Sequence, residues 1–286
     1  MFKFFKRKGQ LEPEPTDALG FLTRFYSTRC DEDKRLTSQH GQVEYLTTMR
    51  YIERYLQPGM RVLEIGAATG RYSLTLARMS YDVTAIELVH HNIDIFRKKL
   101  KPEDKVDLQQ GNALDLSRFT DDTFDMTLLL GPMYHLYTRE DQSRALREAL
   151  RVTKPGGYLY AAYCVSDMSL HYHGFIKGHI EYLIAKGMAD PETFHCHSEP
   201  KDLFQLMRRD DILALTAPQE TSAAPLPCAR LHYVATDGPV ELMRDAIDKM
   251  TPKQFELYMK YRYAICERED LAGATNHSLD ILRKNN

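Results

Sequence analysis

The sequence predicts an α/β protein with a doubly wound, mostly parallel sheet, N-terminal helices, and helical insertions after the fifth strand and before the last. Two observations carry that prediction. Short apolar runs alternate with amphipathic stretches from "MRVLEIG" at Met60 to "YLYAAYCV" at Val165, and strands separated by helices of that length form right-handed βαβ units. The first run also ends in a small-residue turn, "GAATG", that opens a helix.

The elements follow in order. "DALGFLTRFYST" and "TSQHGQVEYLTTMRYIERYL" carry apolar residues at helical spacing, with Val43, Leu46, Ile52 and Leu56 recurring over successive turns. "MRVLEIG" then reads as strand and "GRYSLTLARMS" as helix. "DVTAIE", "KVDLQQ" and "FDMTLLLG" read as strands, and "VHHNIDIFRKKL" as the helix between the first two. "REDQSRALREALRVTK" is a strongly amphipathic helix stopped by "KPGG" before the strand "YLYAAYCV". Beyond Val165, "HGFIKGHIEYLIAKGM" and "PKDLFQLMRRDDIL" read as helices and "CARLHYVA" as a strand. Helices at about 239–249 and 252–268 precede "HSLDILRK", a last strand in the same sheet. The expected organisation is a flexible tail over 1–15, a helical lid over 16–58, a cofactor-binding core over 59–165, a helical insertion covering the substrate over 166–228, and C-terminal strands with an inserted helical pair over 229–286.

Composition sets bounds on function. The chain has 286 residues, of which 43% are hydrophobic and 27% charged, enough for one large domain. A formal net charge of -2 lacks the basic excess of a protein that works on phosphate backbones, so no nucleic-acid partner is expected. Five scattered cysteines without a C-x-x-C pair indicate reduced thiols and a cytoplasmic location. No apolar run is long enough for a signal peptide or a membrane span.

The loop of "VLEIGAATG" departs from a dinucleotide fingerprint: Gly66 fills the first glycine place, but Ala68 and Arg71 occupy the second and third. The second glycine allows close approach of a pyrophosphate, so its loss points to an adenosine cofactor without one, such as S-adenosyl-L-methionine. Glu87 ends the second strand, where a carboxylate accepts hydrogen bonds from ribose hydroxyls. As an open strand end, its removal is expected to leave folding nearly unchanged.

Five stretches in order, "VLEIGAATG", "VTAIEL", "GNALDL", "FDMTLLLGPMYHL" and "RVTKPGGYLYAAY", resemble the class I S-adenosylmethionine-dependent methyltransferases over roughly residues 37–164. The resemblance implies a Rossmann-like methyltransferase with S-adenosyl-L-methionine as cofactor. It sets Gly66, Ala67, Ala68 and Gly70 against the methionine portion and Glu64 near its ammonium group. Glu87 takes the ribose hydroxyls, Leu88 covers one adenine face, Asn112 and Ala113 meet the adenine edge, and Leu130 closes the fourth strand beside the cofactor. Asn112 is equally at home in a turn.

Tyr134 and His135 emerge after the fourth strand beside the expected methyl group. They are the candidate catalytic residues: His135 as a base near neutral pH, Tyr134 as a pocket wall or hydrogen-bonding group. The family's "[DN]PP[YF]" signature for amino methylation is absent here. On the front helices Tyr26 can close over the cofactor and Arg35 can pair with its carboxylate, whereas Asp31, Glu32 and Asp33 read as a solvated charge run. The pairs "HYH" and "HCH" would form a metal site only by converging, and no metal is expected. Glu267, Asp270 and His277 can face the pocket from the C-terminal edge, or belong to a helix end and turn.

The expected function is methyl transfer to a small-molecule acceptor. The alternatives are methylation of RNA or protein through "IFRKKLK", "LMRRDD" and "KFFKRK", and a non-catalytic S-adenosylmethionine-binding module.

Overall fold

The computed structural model describes residues 15–217 and 225–286. Nearly all of the expected tail, with its "KFFKRK" patch, and part of the 166–228 insertion lie outside them.

Three helices lead the chain: α1 (Ala18–Thr28), α2 (Glu32–Arg35) and α3 (Gln39–Tyr55). The central alternation follows as β1 (Arg61–Ile65), α4 (Arg71–Arg78), β2 (Asp82–Glu87), α5 (His90–Lys99), β3 (Val106–Gln110), β4 (Phe124–Leu129), α6 (Arg139–Val152) and β5 (Thr153–Val165). Then come α7 (Ser166–Ser169), α8 (Ile180–Ala185), β6 (Leu206–Met207), α9 (Arg209–Thr216) and β7 (Cys228–Ala235). The chain closes with α10 (Val240–Asp248), α11 (Pro252–Ile265) and β8 (His277–Lys284).

The strand order is β3-β2-β1-β4-β5-β8-β7, with β6 paired to β5. The first five strands of this path are parallel, while β8 runs antiparallel between β5 and β7. The last strand therefore joins the same sheet, and the α10–α11 pair is inserted before it.

The period of two along each strand explains the two-sided burial. Leu63, Ile65, Leu159, Ala161 and Tyr163 face one layer, where Ala145, Leu146, Ala149 and Leu150 of α6 pack with Ile212 and Leu215 of α9. Val62, Met126, Leu128, Tyr160 and Ala162 face the other, against Met49 and Ile52 of α3 and Tyr72 and Leu76 of α4. Helix α6 starts where Thr138 accepts the Asp141 N–H, with Glu140 and Asp141 in its positive first turn. At the antiparallel edge the fully buried Asp280 carboxylate is held bidentately by Arg230 at 2.7 and 2.9 Å.

The insertion departs from the expected helices. "PKDLFQLMRRDDIL" is broken at Leu203, which takes φ 72°, and Leu206–Met207 instead extends the sheet beside Cys164 and Val165. Its α-helical part begins only at Arg209, and that helix runs on past the stretch to Thr216. "HGFIKGHIEYLIAKGM" is divided at Gly178, φ 70°, into a π-helical turn (Leu170–Ile176) and α8. Among the described residues no helix is long and apolar enough to cross a membrane.

Candidate active site

The loop after β1 crosses the carboxyl edge of the sheet, where open α/β folds place their ligands. Gly66 has φ 80°, and a Cβ there would lie 2.6 Å from Pro132 Cδ; Gly70, φ 85°, would put one 2.4 Å from the Phe96 ring. No side chain fits at either place. Between them Ala68 occupies the left-handed region at φ 46°, uncommon for a residue with a Cβ.

Glu87 holds this loop. Its carboxylate accepts from Ala68 N at 2.8 Å, Val89 N at 2.9 Å and Asn92 Nδ2 at 3.2 Å, and the residue is 5% exposed. The open strand end expected from sequence is therefore corrected: Glu87 is a buried loop organiser, and burial pushes its pKa upward against those three donors. Glu64, on the α4 side of β1, is also buried and accepts from Ser73 Oγ. Desolvation raises its pKa to about 8, the environment of a carboxylate that lacks a cation.

Every residue named from sequence for the cofactor and the chemistry lines one cavity of about 1410 Å³: Glu64, the loop Gly66 to Gly70, Glu87, Leu88, Asn112, Ala113, Leu130, Tyr134, His135, Tyr26 and Arg35. Asn112 lines the cavity but is exposed and spends Oδ1 on the Leu114 N–H at 3.0 Å, the turn alternative.

His135 is not the free base expected. Its Nδ1 lies 2.7 Å from the Leu203 carbonyl, which only accepts, so Nδ1 carries the proton and Nε2 accepts from Tyr26 Oη at 2.9 Å. Burial lowers its pKa to about 4. Both ring nitrogens are used to tie α1 and the Leu203 turn to the loop after β4. Phe25 and Phe204 meet edge to face beside them, ring centroids 5.6 Å apart.

Arg35 is flanked by Glu32 at 2.7 Å and Glu44 at 2.8 Å. Asp31 and Asp33 are exposed, as a solvated charge run would be, Asp33 meeting Lys99 and Thr69 at the surface, whereas Glu32 is drawn in against Arg35. Of the C-terminal trio only His277 reaches the cavity; Glu267 binds Tyr51 and His232, and Asp270 pairs with Arg268. The two H-x-H pairs lie outside the cavity. Glu44 and Asp237, both cavity-lining and buried, were missed. The available signals were a polar run, Glu44, Thr47 and Thr48, on a buried helix face, and an acid at the end of β7 that reads as an Asp-Gly turn.

A sheet of this order with one antiparallel strand, a small-residue loop after β1 and an acidic end to β2 defines the class I methyltransferase architecture. Residues 63–161 match the family model described as "Methyltransferase domain". A demethylmenaquinone methyltransferase of Clavibacter sepedonicus is 33% identical over 99 residues, 35% of this chain and 39% of that protein. A ubiquinone biosynthesis O-methyltransferase of Methylocella silvestris is 27% identical over 186 residues, 63% of this chain and 68% of that one. The chain thus spans under half the length of the first of these relatives. The crystal structure of a S-adenosylmethionine-dependent methyltransferase from Methanosarcina mazei superposes with a TM-score of 0.54 at 20% identity, covering 82% of this chain and 97% of that one. One from Thermotoga maritima, described as a possible histamine N-methyltransferase, gives 0.53 at 20% identity over 93% and 99%. At that identity the two structures speak for the fold. The fold is that of the class I S-adenosylmethionine-dependent methyltransferases, and the methyltransferase-domain match over residues 63–161 agrees with it.

Proposed function

We propose that the protein transfers a methyl group from S-adenosyl-L-methionine to a small-molecule acceptor in the cytoplasm. The observation that carries this reading is the cavity: at about 1410 Å³ it exceeds the roughly 300–1,000 Å³ of a site for one drug-sized ligand. It has room for a cofactor and an acceptor beneath one lid. The relatives named for demethylmenaquinone and ubiquinone biosynthesis support an acceptor of small-molecule size.

The residues present fit the cofactor. Glu64, a buried carboxylate with a raised pKa, is suited to an ammonium group, and Arg35 to a carboxylate. With three donors already on it, two at Oε1 and one at Oε2, the Glu87 carboxylate keeps about one acceptor site, on Oε2, for a ribose hydroxyl. Leu88, Ala113 and Leu130 offer apolar contact to the base, and Asn112 a polar edge. When bound, S-adenosylmethionine supplies an activated methyl group on a sulfonium. The chain's own contribution is then alignment and exclusion of water, and positioning alone is worth up to roughly 7–11 kcal/mol in favourable cases. Tyr134 walls the cavity, and His135 positions the lid through Tyr26.

Calorimetry with S-adenosylmethionine and S-adenosylhomocysteine tests the cofactor, and labelled methyl donor with a cell extract split into small molecules, bulk tRNA and protein tests the acceptor. Label in the small-molecule fraction is expected. Absence of cofactor binding, or label only in tRNA or protein, overturns the proposal.

A further inference from the structure

Glu44 of α3, Asp237 after β7 and His277 at the start of β8 are remote in sequence, yet one donor atom from each lies within 4.8 Å of the others. His277 Nδ1 is 2.8 Å from Asp237 Oδ2 and 3.5 Å from Glu44 Oε2. Asp237 is kept anionic through its other oxygen, which accepts from Thr275 Oγ1 at 2.6 Å and from the N–H groups of Asn276 and His277 at 3.0 Å.

The local charges do not balance. Glu32 and Glu44 share the single guanidinium of Arg35, and Asp237 adds a third carboxylate. With a neutral imidazole the cluster is in excess by two negative charges. Buried charges are paired or coordinate metals. A proton on His277 offsets half of that excess, and a divalent cation all of it.

A second observation is independent of the cluster. Tyr134 is 7% exposed, and its hydroxyl has no hydrogen-bond partner among the described residues. Its ring lies 5.7 Å from that of His277, and the fields of Glu44 and Arg35 reach its oxygen. That hydroxyl opens on the cavity, so a polar group entering there meets an unused donor and acceptor. Tyr134, Glu44, Asp237 and His277 all line the cavity.

We propose that Glu44, Asp237 and His277 hold a divalent metal cation beside Tyr134, with open positions for an oxygen of the acceptor. The cation displaces the Nδ1 proton of His277 to solvent. Two carboxylate oxygens and one imidazole nitrogen suit Zn²⁺ or Mn²⁺ better than Mg²⁺, which prefers oxygen alone, and three protein ligands leave sites for exchange. The acceptor would then bear a hydroxyl or carboxylate. That last clause rests on the proposed function; the metal site itself does not.

The test is titration of chelator-treated full-length protein with Mn²⁺, Mg²⁺ and Zn²⁺ separately, by calorimetry and, for Mn²⁺, by the loss of the free-ion resonance. One-to-one binding is expected, weakened about ten- to a hundredfold in Asp237→Asn and in His277→Gln. Thermal unfolding checks that each variant folds, and the wild-type titration stands if one does not. No binding up to about 1 mM of any cation, or binding indifferent to the variants, overturns the site and leaves an imidazolium ion pair. S-adenosylmethionine binding, measured on the same metal-free sample, separates that outcome from failure of the proposed function.

Discussion

Glu87 Oε2 accepts the backbone N–H of Ala68 at 2.8 Å, so the acid that ends β2 holds the one non-glycine residue of the β1 loop that is forced to a positive φ. Glu87→Ala leaves the N–H groups of Ala68 and Val89 and the Asn92 amide without their acceptor. A buried donor left unpaired costs about 1–3 kcal/mol. Both stability and cofactor affinity should fall, the latter by at least about tenfold. Urea unfolding and calorimetry on the variant check this, and a wild-type unfolding midpoint would show that Glu87 does not organise the loop.

Ala68 gives a second, opposite prediction. The left-handed conformation costs a residue with a Cβ roughly 1–2 kcal/mol, and glycine gives back about 0.5–1 kcal/mol through its freer unfolded chain. Ala68→Gly is therefore expected to be neutral or up to about 1 kcal/mol more stable, while Ala68→Val, β-branched, is destabilised. Melting temperatures should rank glycine at or above alanine, and alanine above valine. Valine equal to alanine would mean that the loop relaxes freely.

The parts of the site built by one stretch of chain were legible, and those built by distant stretches were not. Gly66, Glu64 and Glu87 sit at strand ends that periodicity locates, and the cavity gathers them. What Glu87 bonds to depends on how the loop folds back across nineteen residues, which no local pattern states. His135 was identified as a neutral-pH base because its free chemistry says so; Leu203, 68 residues away, and Tyr26, 109 residues away, decide its tautomer. The Glu44, Asp237 and His277 cluster is assembled by β8 entering between β5 and β7, a pairing that hydropathy does not encode. In the insertion, the helical period of "PKDLFQLMRRDDIL" lost to two residues of sheet pairing with β5.

Glu64 makes cofactor binding depend on pH in a defined sense. Its folded pKa of about 8 lies above the ordinary 4.5, so between those values the folded chain keeps a proton that the unfolded chain has lost. Stability of the ligand-free protein should therefore fall as pH rises from 4.5 to 8. An incoming ammonium needs the carboxylate ionised, so binding S-adenosylmethionine at pH 6.5 should release a proton and tighten as pH rises toward 8. Calorimetric heats in buffers of different ionisation enthalpy report that proton. Glu64→Gln should bind more weakly without releasing it; the same proton release in the variant would assign it elsewhere.

His135 carries the last prediction, because its two bonds decide whether α1 stays over the cavity. Its folded pKa of about 4 is below the ordinary 6.5, so this histidine supports the fold fully above pH 6.5, and that support is lost as pH falls toward 4, where the unfolded chain takes the proton first. His135→Gln offers an amide N–H to the Leu203 carbonyl and an oxygen to Tyr26, and should flatten the stability profile between pH 6.5 and 4 while keeping the lid. Tyr26→Phe should do the reverse, leaving the pH profile in place but removing the 2.9 Å bond that ties α1 to the loop after β4. A net hydrogen bond is worth about 0.5–1.5 kcal/mol, so S-adenosylmethionine should dissociate roughly two- to tenfold faster from Tyr26→Phe. Stopped-flow displacement measures that rate. An unchanged rate would mean that Tyr26 rests on the cavity without restraining it, and an unchanged acid slope in His135→Gln would assign the titration to another group.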